Sequence, residues 1–242
     1  RAFAAGLRPL LQARRLSALL LQFPFTFRDG ADARERLRRL RDAFREFPLV
    51  VEVRHRSWAE ADATAFLRAE EFSVANLDYP TSSDSFREPQ AATGEPGYLR
   101  LHGRNAAEWF TRGAGRDARY DYLYDYDELD EIADRIGALS TRFRELVVVT
   151  NNHYRGQALA NLAELAARAG GGERALPATL IGTYPRLAAV ARPAGPQAAA
   201  GMRDAGLPGT TGSRRTTGAG RGGRGGQGSS RGSGEQRDLF DG

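Results

Sequence analysis

Short apolar segments and amphipathic segments alternate from Leu16 to Ala169, and that alternation limits the folds open to the chain. Leu16–Phe23, Leu49–Arg54, Ser73–Asp78, Tyr98–His102 and Leu146–Asn151 are short and rich in branched or large apolar residues, so they read as strands. Between and around them, helices are predicted over about Ala2–Ala13, Ala31–Phe47, Ala59–Phe72, Asp127–Phe143 and Gly156–Ala169. Leu37, Leu40, Phe44 and Phe47 recur at helical spacing, as do Leu129, Ile132, Ile136 and Leu139, and Leu159, Leu162 and Leu165 are available for packing. Thr81–Pro96 and Asn105–Tyr126 lack periodicity and read as loops. Strand–helix alternation predicts an α/β fold with a parallel sheet of βα units. Right-handed crossovers in unbroken series give either a (β/α) barrel or a doubly wound sheet. No G-x-G-x-x-G follows the first strand, which argues against a dinucleotide site.

Two absences remove whole classes of chemistry. Cysteine is missing, so disulfides, thiolate nucleophiles and thiolate metal sites are excluded. All 35 basic residues are Arg, so a Schiff-base lysine and a P-loop lysine are excluded too. The Arg bias fits GC-rich coding, and it also fits phosphate recognition through bidentate guanidinium contacts. The formal net charge is +5. No run approaches the roughly 20 apolar residues of a membrane span, no signal-peptide pattern opens the chain, and a cytoplasmic location is expected.

Strand faces alternate with period two. Glu52 shares a face with Arg54, Asn76 with Asp78, and Tyr98 with Arg100 and His102, while Asn151 and Asn152 end the last strand. If helices cover the apolar face, these three polar rows point into the interior of a barrel. Buried charges there need partners. The three histidines, His55, His102 and His153, all follow strands, at the end where barrels carry their active sites. Arg54, His55, Arg100, Asn151 and Asn152 suit an anionic or phosphate-bearing ligand. Glu52, Asp78 and His102 suit a general base or ligands to a divalent metal, although no fixed metal-binding spacing is present. The opposing reading is a structural ion-pair layer in which Glu52 meets Arg54 or Arg100 and Asp78 completes the set. Trp58 reads as a stacking residue at the rim or as an anchor between loop and sheet. Tyr120, Tyr122, Tyr124 and Tyr126 read either as a stacking surface for bases or sugars or as a small strand that packs the loop down.

Val51-Glu52-Val53-Arg54-His55-Arg56-Ser57-Trp58, Tyr98-Leu99-Arg100-Leu101-His102-Gly103-Arg104, Asn151-Asn152 with Ala160-Asn161, and Leu20-Leu21-Gln22-Phe23-Pro24 resemble the motifs of the YecE-like family, the domain of unknown function numbered 72. The resemblance covers about Arg1–Ala169 and implies a TIM-like (β/α) barrel, without supplying a reaction. The family's N-terminal third has no counterpart here, so the chain is expected to begin just before the fourth barrel strand. A partial barrel with open sheet edges is expected to be poorly stable alone.

The expected organisation is thus a partial barrel over residues 1–192 and a disordered Gly/Arg/Ser-rich tail over residues 193–242. Arg-Gly repeats such as Gly220–Gly226 bind nucleic acid weakly or serve as a solvated linker. Gln236-Arg237-Asp238-Leu239-Phe240 resembles the pentapeptide that binds bacterial sliding clamps, with Gln236, Leu239 and Phe240 as anchors. Three readings of function follow. One is a DNA-associated barrel with a phosphate-binding or metal-assisted phosphodiester site, tethered to a sliding clamp. Another is a barrel enzyme acting on a small molecule or sugar phosphate, with no DNA role. The third is a non-catalytic clamp-binding scaffold.

Overall fold

The computed structural model describes residues 2–87, 94–111 and 113–195. The expected tail, with Gln236, Leu239 and Phe240, lies outside the described residues apart from its first three positions. The chain divides after Pro193 into two units, and every element described here belongs to the first.

In chain order the elements are α1 (Ala2–Gln12), β1 (Leu19–Gln22), α2 (Ala31–Ala43), β2 (Leu49–Glu52), α3 (Ala61–Ala69), β3 (Ser73–Val74), β4 (Asn76–Asp78), β5 (Gly97–Leu101), α4 (Ala106–Trp109), α5 (Arg116–Arg119), α6 (Tyr126–Ser140), β6 (Leu146–Thr150), α7 (Gln157–Arg168), β7 (Arg174–Leu176), α8 (Ala178–Thr183) and β8 (Ala191–Pro193). Strands β1, β2 and β3 pair in parallel, as do β4, β5 and β6. The expected strand Ser73–Asp78 is thus two pieces, β3 on β2 and β4 on β5, and Ala75 between them donates its N–H to the Val51 carbonyl at 2.9 Å. Strand order follows chain order without the reversal that defines a doubly wound sheet. β7 and β8 form a separate parallel pair.

Helices cover one face of these strands. Leu7 and Leu11 of α1, Leu37 and Leu40 of α2, and Phe66 and Leu67 of α3 pack on Leu19, Leu21, Leu49, Val51, Val53 and Val74. The α6 stripe Leu129, Ile132, Ile136 and Leu139 packs on Leu99, Leu101, Leu146 and Val148. Helix α6 starts at a capping box: Asp125 accepts the Glu128 N–H at 2.9 Å while Glu128 accepts the Asp125 N–H at 3.0 Å. By alternation, Leu20, Gln22, Val50, Glu52, Tyr98, Arg100, Val147 and Val149 point away from the helices.

The same rule corrects one expected row. Ser73 sits beside Val50 and Val74 beside Val51, which puts Val74 on the helix side. Continuing the alternation puts Leu77 beside Arg100, and Asn76 and Asp78 beside Leu99 and Leu101. The Asn76/Asp78 pair therefore faces the helices. The packing of Val74 fixes the parity of the whole segment.

Helix α7 is also turned from its expected orientation. Leu159 and Leu162 are 54% and 39% exposed, and Leu165 is buried. The inward face instead carries Gln157, Ala160, Asn161, Ala163 and Glu164. Its polar groups are bonded: Asn161 Oδ1 accepts from Asn152 Nδ2 at 2.8 Å, Glu164 from Arg186 at 2.7 Å, and Gln157 Oε1 from the Tyr122 N–H at 2.9 Å. The described residues hold no helix long and apolar enough to cross a membrane.

This orientation predicts unequal costs along one helix. Leu165→Ala should destabilise by about 2–5 kcal/mol, and Leu159→Ala should stay within about 0.5 kcal/mol. Urea denaturation of both variants checks it, and equal losses would mean that α7 is turned the other way.

Candidate functional site

Beyond the ends of β1, β2, β5 and β6, on the face away from the helices, one buried carboxylate organises two guanidinium groups. Glu52 has no exposed surface. Arg54 donates Nε and Nη2 to Glu52 Oε1 at 3.1 and 2.8 Å, and Arg100 donates Nη1 to Glu52 Oε2 at 2.6 Å. Arg100 also donates to Gln22 Oε1 at 2.6 Å and to Asn151 Oδ1 at 3.2 Å. Accepting from Arg100 fixes the Asn151 amide, so its Nδ2 donates to His102 Nδ1 at 3.1 Å. A neutral His102 then carries its proton on Nε2, which lies 3.4 Å from Glu52 Oε1 without an aligned hydrogen bond. Glu52, Arg100, Asn151 and His102 thus form a ring of three hydrogen bonds and one 3.4 Å contact.

The electrostatics agree with a neutral ring. Burial pushes the His102 pKa below its ordinary value, against the opposing pull of Glu52. Burial alone would raise the Glu52 pKa, but His102 and the charges of Arg54 and Arg100 outweigh it and hold the carboxyl well below the usual range. Two guanidinium charges against one carboxylate leave one net positive charge in the group. The arginine side chains remain 18% and 13% exposed, so that charge is reachable. Arg100 Nε is buried with no hydrogen-bond partner.

An aromatic wall stands beside this group. The Trp109 ring lies 5.7 Å from His102, 5.7 Å from Tyr120 and 6.0 Å from Tyr79. The Arg54 guanidinium sits 5.9 Å from the Trp109 ring centre. Burial would lower the Arg54 pKa, yet Glu52 and then Tyr120 raise it. The segment carrying Trp109 and Tyr120 is clipped at its base, where Asn105 Nδ2 donates to the carbonyls of Ala118 and Asp121 at 3.0 and 3.2 Å. Gly103 lets the chain leave β5: its φ is +91°, and a Cβ there would lie 2.7 Å from Tyr122 Cβ.

The expected site residues separate into those that converge and those that do not. Glu52, Arg54, Arg100, His102 and Asn151 converge. Asp78 does not, because it faces the helices, where it accepts from Arg104 at 3.0 and 2.9 Å and from the Tyr124 hydroxyl at 2.8 Å. It completes neither a catalytic set nor an ion-pair layer with Glu52. Among the described residues no group of three or more His, Asp and Glu side chains could hold a metal ion, so the expected Glu52/Asp78/His102 ligand set does not form. His102 and Glu52 are also poorly placed as general bases, since the His102 acceptor nitrogen and both Glu52 oxygens are engaged.

His55 caps the turn at Arg56–Ala59, with Nδ1 accepting the Ser57 N–H at 3.1 Å, and it lies outside the ring. Asn152 is fully buried and donates to Tyr122 O and Asn161 Oδ1, both at 2.8 Å, so it holds the α7 side rather than a ligand. Trp58 is an anchor: it is fully buried and donates to Phe27 O at 2.8 Å. The four tyrosines diverge, with Tyr120 at the wall, Tyr122 and Tyr124 packed below it and Tyr126 exposed. Gln22, Tyr79 and Trp109 were not singled out as site residues from the sequence. Trp109 carried a signal, being one of only two tryptophans and lying just beyond a strand end.

A family model described as "Protein of unknown function DUF72" matches residues 1–183. The UPF0759 protein YunF of Bacillus subtilis (strain 168) is 30% identical over 169 residues, covering 66% of this chain and 60% of the relative. The crystal structure of the DUF72 family protein TM1631 from Thermotoga maritima MSB8 superposes with a TM-score of 0.65 at 33% identity, covering 70% of this chain and 64% of that one. A DUF72 family protein from Enterococcus faecalis V583, EF0366, gives a TM-score of 0.64 at 26% identity with the same coverage. The chain therefore spans less than two thirds of the length of these relatives.

Both lowered pKa values give the same sign of pH dependence. A folded pKa below the unfolded one contributes stability above the unfolded pKa, lost as pH falls. For His102 that loss should begin near pH 6.5, its ordinary value. Nitrogen-15 imidazole NMR should show His102 protonated at Nε2 alone and still neutral below pH 6.5. A cationic or Nδ1-protonated ring there would break the ring assignment.

Proposed function

The chain belongs to the DUF72 family, and on that premise we propose that Arg54 and Arg100 form a binding site for a phosphate-class anion. The observation that carries this reading is the pair of partly exposed guanidinium groups oriented by one fully buried carboxylate. Planar guanidinium groups match the oxygen fork of phosphate, and a fixed pair loses little freedom on binding.

The reading is one of binding and assigns no reaction. Glu52 and His102 act as positioning residues, through the arginines they hold. The strand order supports placing the site at the mouth of a partial TIM-like barrel, the end at which such barrels bind ligands. Nucleic-acid phosphodiesters belong to the same ligand class, and the DNA-associated reading stands as that extension of the proposal.

Calorimetric titration of the full chain with inorganic phosphate tests it. Arg100→Gln should weaken binding at least about tenfold, the usual scale for a charge-assisted contact. Arg39→Gln should change nothing, since Arg39 is exposed and pairs with Glu35 on its own helix. Undetectable binding by the wild type, or equal binding by Arg100→Gln, would overturn the assignment.

A further inference from the structure

We propose that the ligand is a nucleoside phosphate whose base stacks on the Trp109–Tyr120 wall while its phosphate meets Arg54 and Arg100. This deepens the anion-site reading and rests on it.

Glu52 Oε1 accepts twice from Arg54, and Oε2 accepts from Arg100. Asn151 Oδ1 and Gln22 Oε1 accept from Arg100, and His102 Nδ1 accepts from Asn151. The Asn151 carbonyl accepts from His153 Nδ1 at 2.9 Å. Asp78, the other carboxylate near these strand ends, is turned to the opposite face. Each of these acceptors already takes a hydrogen bond, while the partly exposed arginines still offer charge. A nucleotide shares its sugar hydroxyls with a bare sugar phosphate, so the aromatic wall, and not the count of acceptors, sets the two apart. A ligand that suits this site carries a negative charge, ring or carbonyl acceptors, and a flat apolar face.

The wall supplies the surface for that face. Trp109 and Tyr120 are half-buried, edge to face at 87° with centres 5.7 Å apart, so each leaves part of its ring uncovered. Tyr120 continues to the exposed His153, 5.1 Å away. The Asn105 clip holds both ends of the segment in place before any ligand arrives. Arg54 touches both halves of the site, bonded to Glu52 and lying against Trp109. A base on the wall and a phosphate on the arginines would then sit as near to each other as they do in one nucleotide.

The test is calorimetric titration of the full chain with thymidine monophosphate, adenosine monophosphate, ribose 5-phosphate and inorganic phosphate. The nucleotides should bind at least about tenfold tighter than ribose 5-phosphate, the lower end of what base–aromatic stacking gives. Trp109→Leu should bring that ratio below about threefold and leave inorganic phosphate within about threefold of wild type, while Trp109→Phe should keep most of the preference. Thermal unfolding by circular dichroism confirms that the variants are folded, and Tyr120→Leu serves as the second wall variant should Trp109→Leu be unfolded. If ribose 5-phosphate equals the nucleotides, or the preference survives both leucine variants, the base-stacking proposal is wrong and the anion site stands. If inorganic phosphate itself fails to bind, both fall. An oligothymidylate arm separates the two sources of the chemistry: tighter binding than the mononucleotide assigns a strand, weaker binding a free nucleotide, and either supports the stacking surface.

Discussion

The Glu52 carboxylate is the contact on which the rest of the site depends. Removing a carboxylate from water costs several kcal/mol even after relaxation, and it persists only where charge and hydrogen bonds compensate. Here compensation comes from three guanidinium hydrogen bonds shared between Arg54 and Arg100. Glu52 ends β2 and Arg100 lies in β5, so one buried charge ties the two strands together. Arg100 extends the tie to Gln22 at the end of β1 and to Asn151 beyond β6. A structural role and a binding role are therefore compatible. The carboxylate is consumed in holding the arginines, and the arginines, outnumbering it, keep a positive charge at the surface.

That division of labour explains why typing residues by chemistry misassigned some roles. Glu52 and His102 look like an acid–base pair in the sequence, but with the carboxylate oxygens and the imidazole Nδ1 engaged, the proposed reading makes them supports. Asp78 looked like their third member because it lies in a short polar-flanked strand. Its partner set, Arg104 and Tyr124, is on the helix side. Nothing in Asn76-Leu77-Asp78 by itself decides which face is which. Parity is set upstream, by Val74 packing among Val51, Val53 and Phe66, and is carried forward one residue at a time.

The alternation of strands and helices was legible from α1 to β5 and from α6 to α7, because burial of one face per element is a local pattern. Leu129, Ile132, Ile136 and Leu139 on α6 show it at its clearest. Helix α7 shows its limit. Leu159 and Leu162 are outward because Gln157, Asn161 and Glu164 have partners waiting at Tyr122, Asn152 and Arg186, contacts between residues far apart in sequence. Apolar periodicity assumes that polar residues go to water, and it fails where a buried network satisfies them. The converging residues Glu52, Arg54, Arg100, His102 and Asn151 were legible for the opposite reason. They sit at strand ends with fixed parity, where a parallel sheet brings successive carboxyl ends together.

The aromatic wall was the least legible part, since Asn105–Tyr126 has no period to read. Its placement comes from side chain to backbone bonds: Asn105 joins Ala118 and Asp121, and Asn152 holds the Tyr122 carbonyl. Such clips matter because a stacking surface on a loose loop would have to be ordered by the ligand, at a cost in affinity. Here the order precedes binding, and Asn152, read at first as a ligand contact, contributes to the site by holding the segment below the wall. On the proposed reading, arginines held by Glu52 on one side and clipped rings on the other would let selectivity rest on geometry present in the free protein.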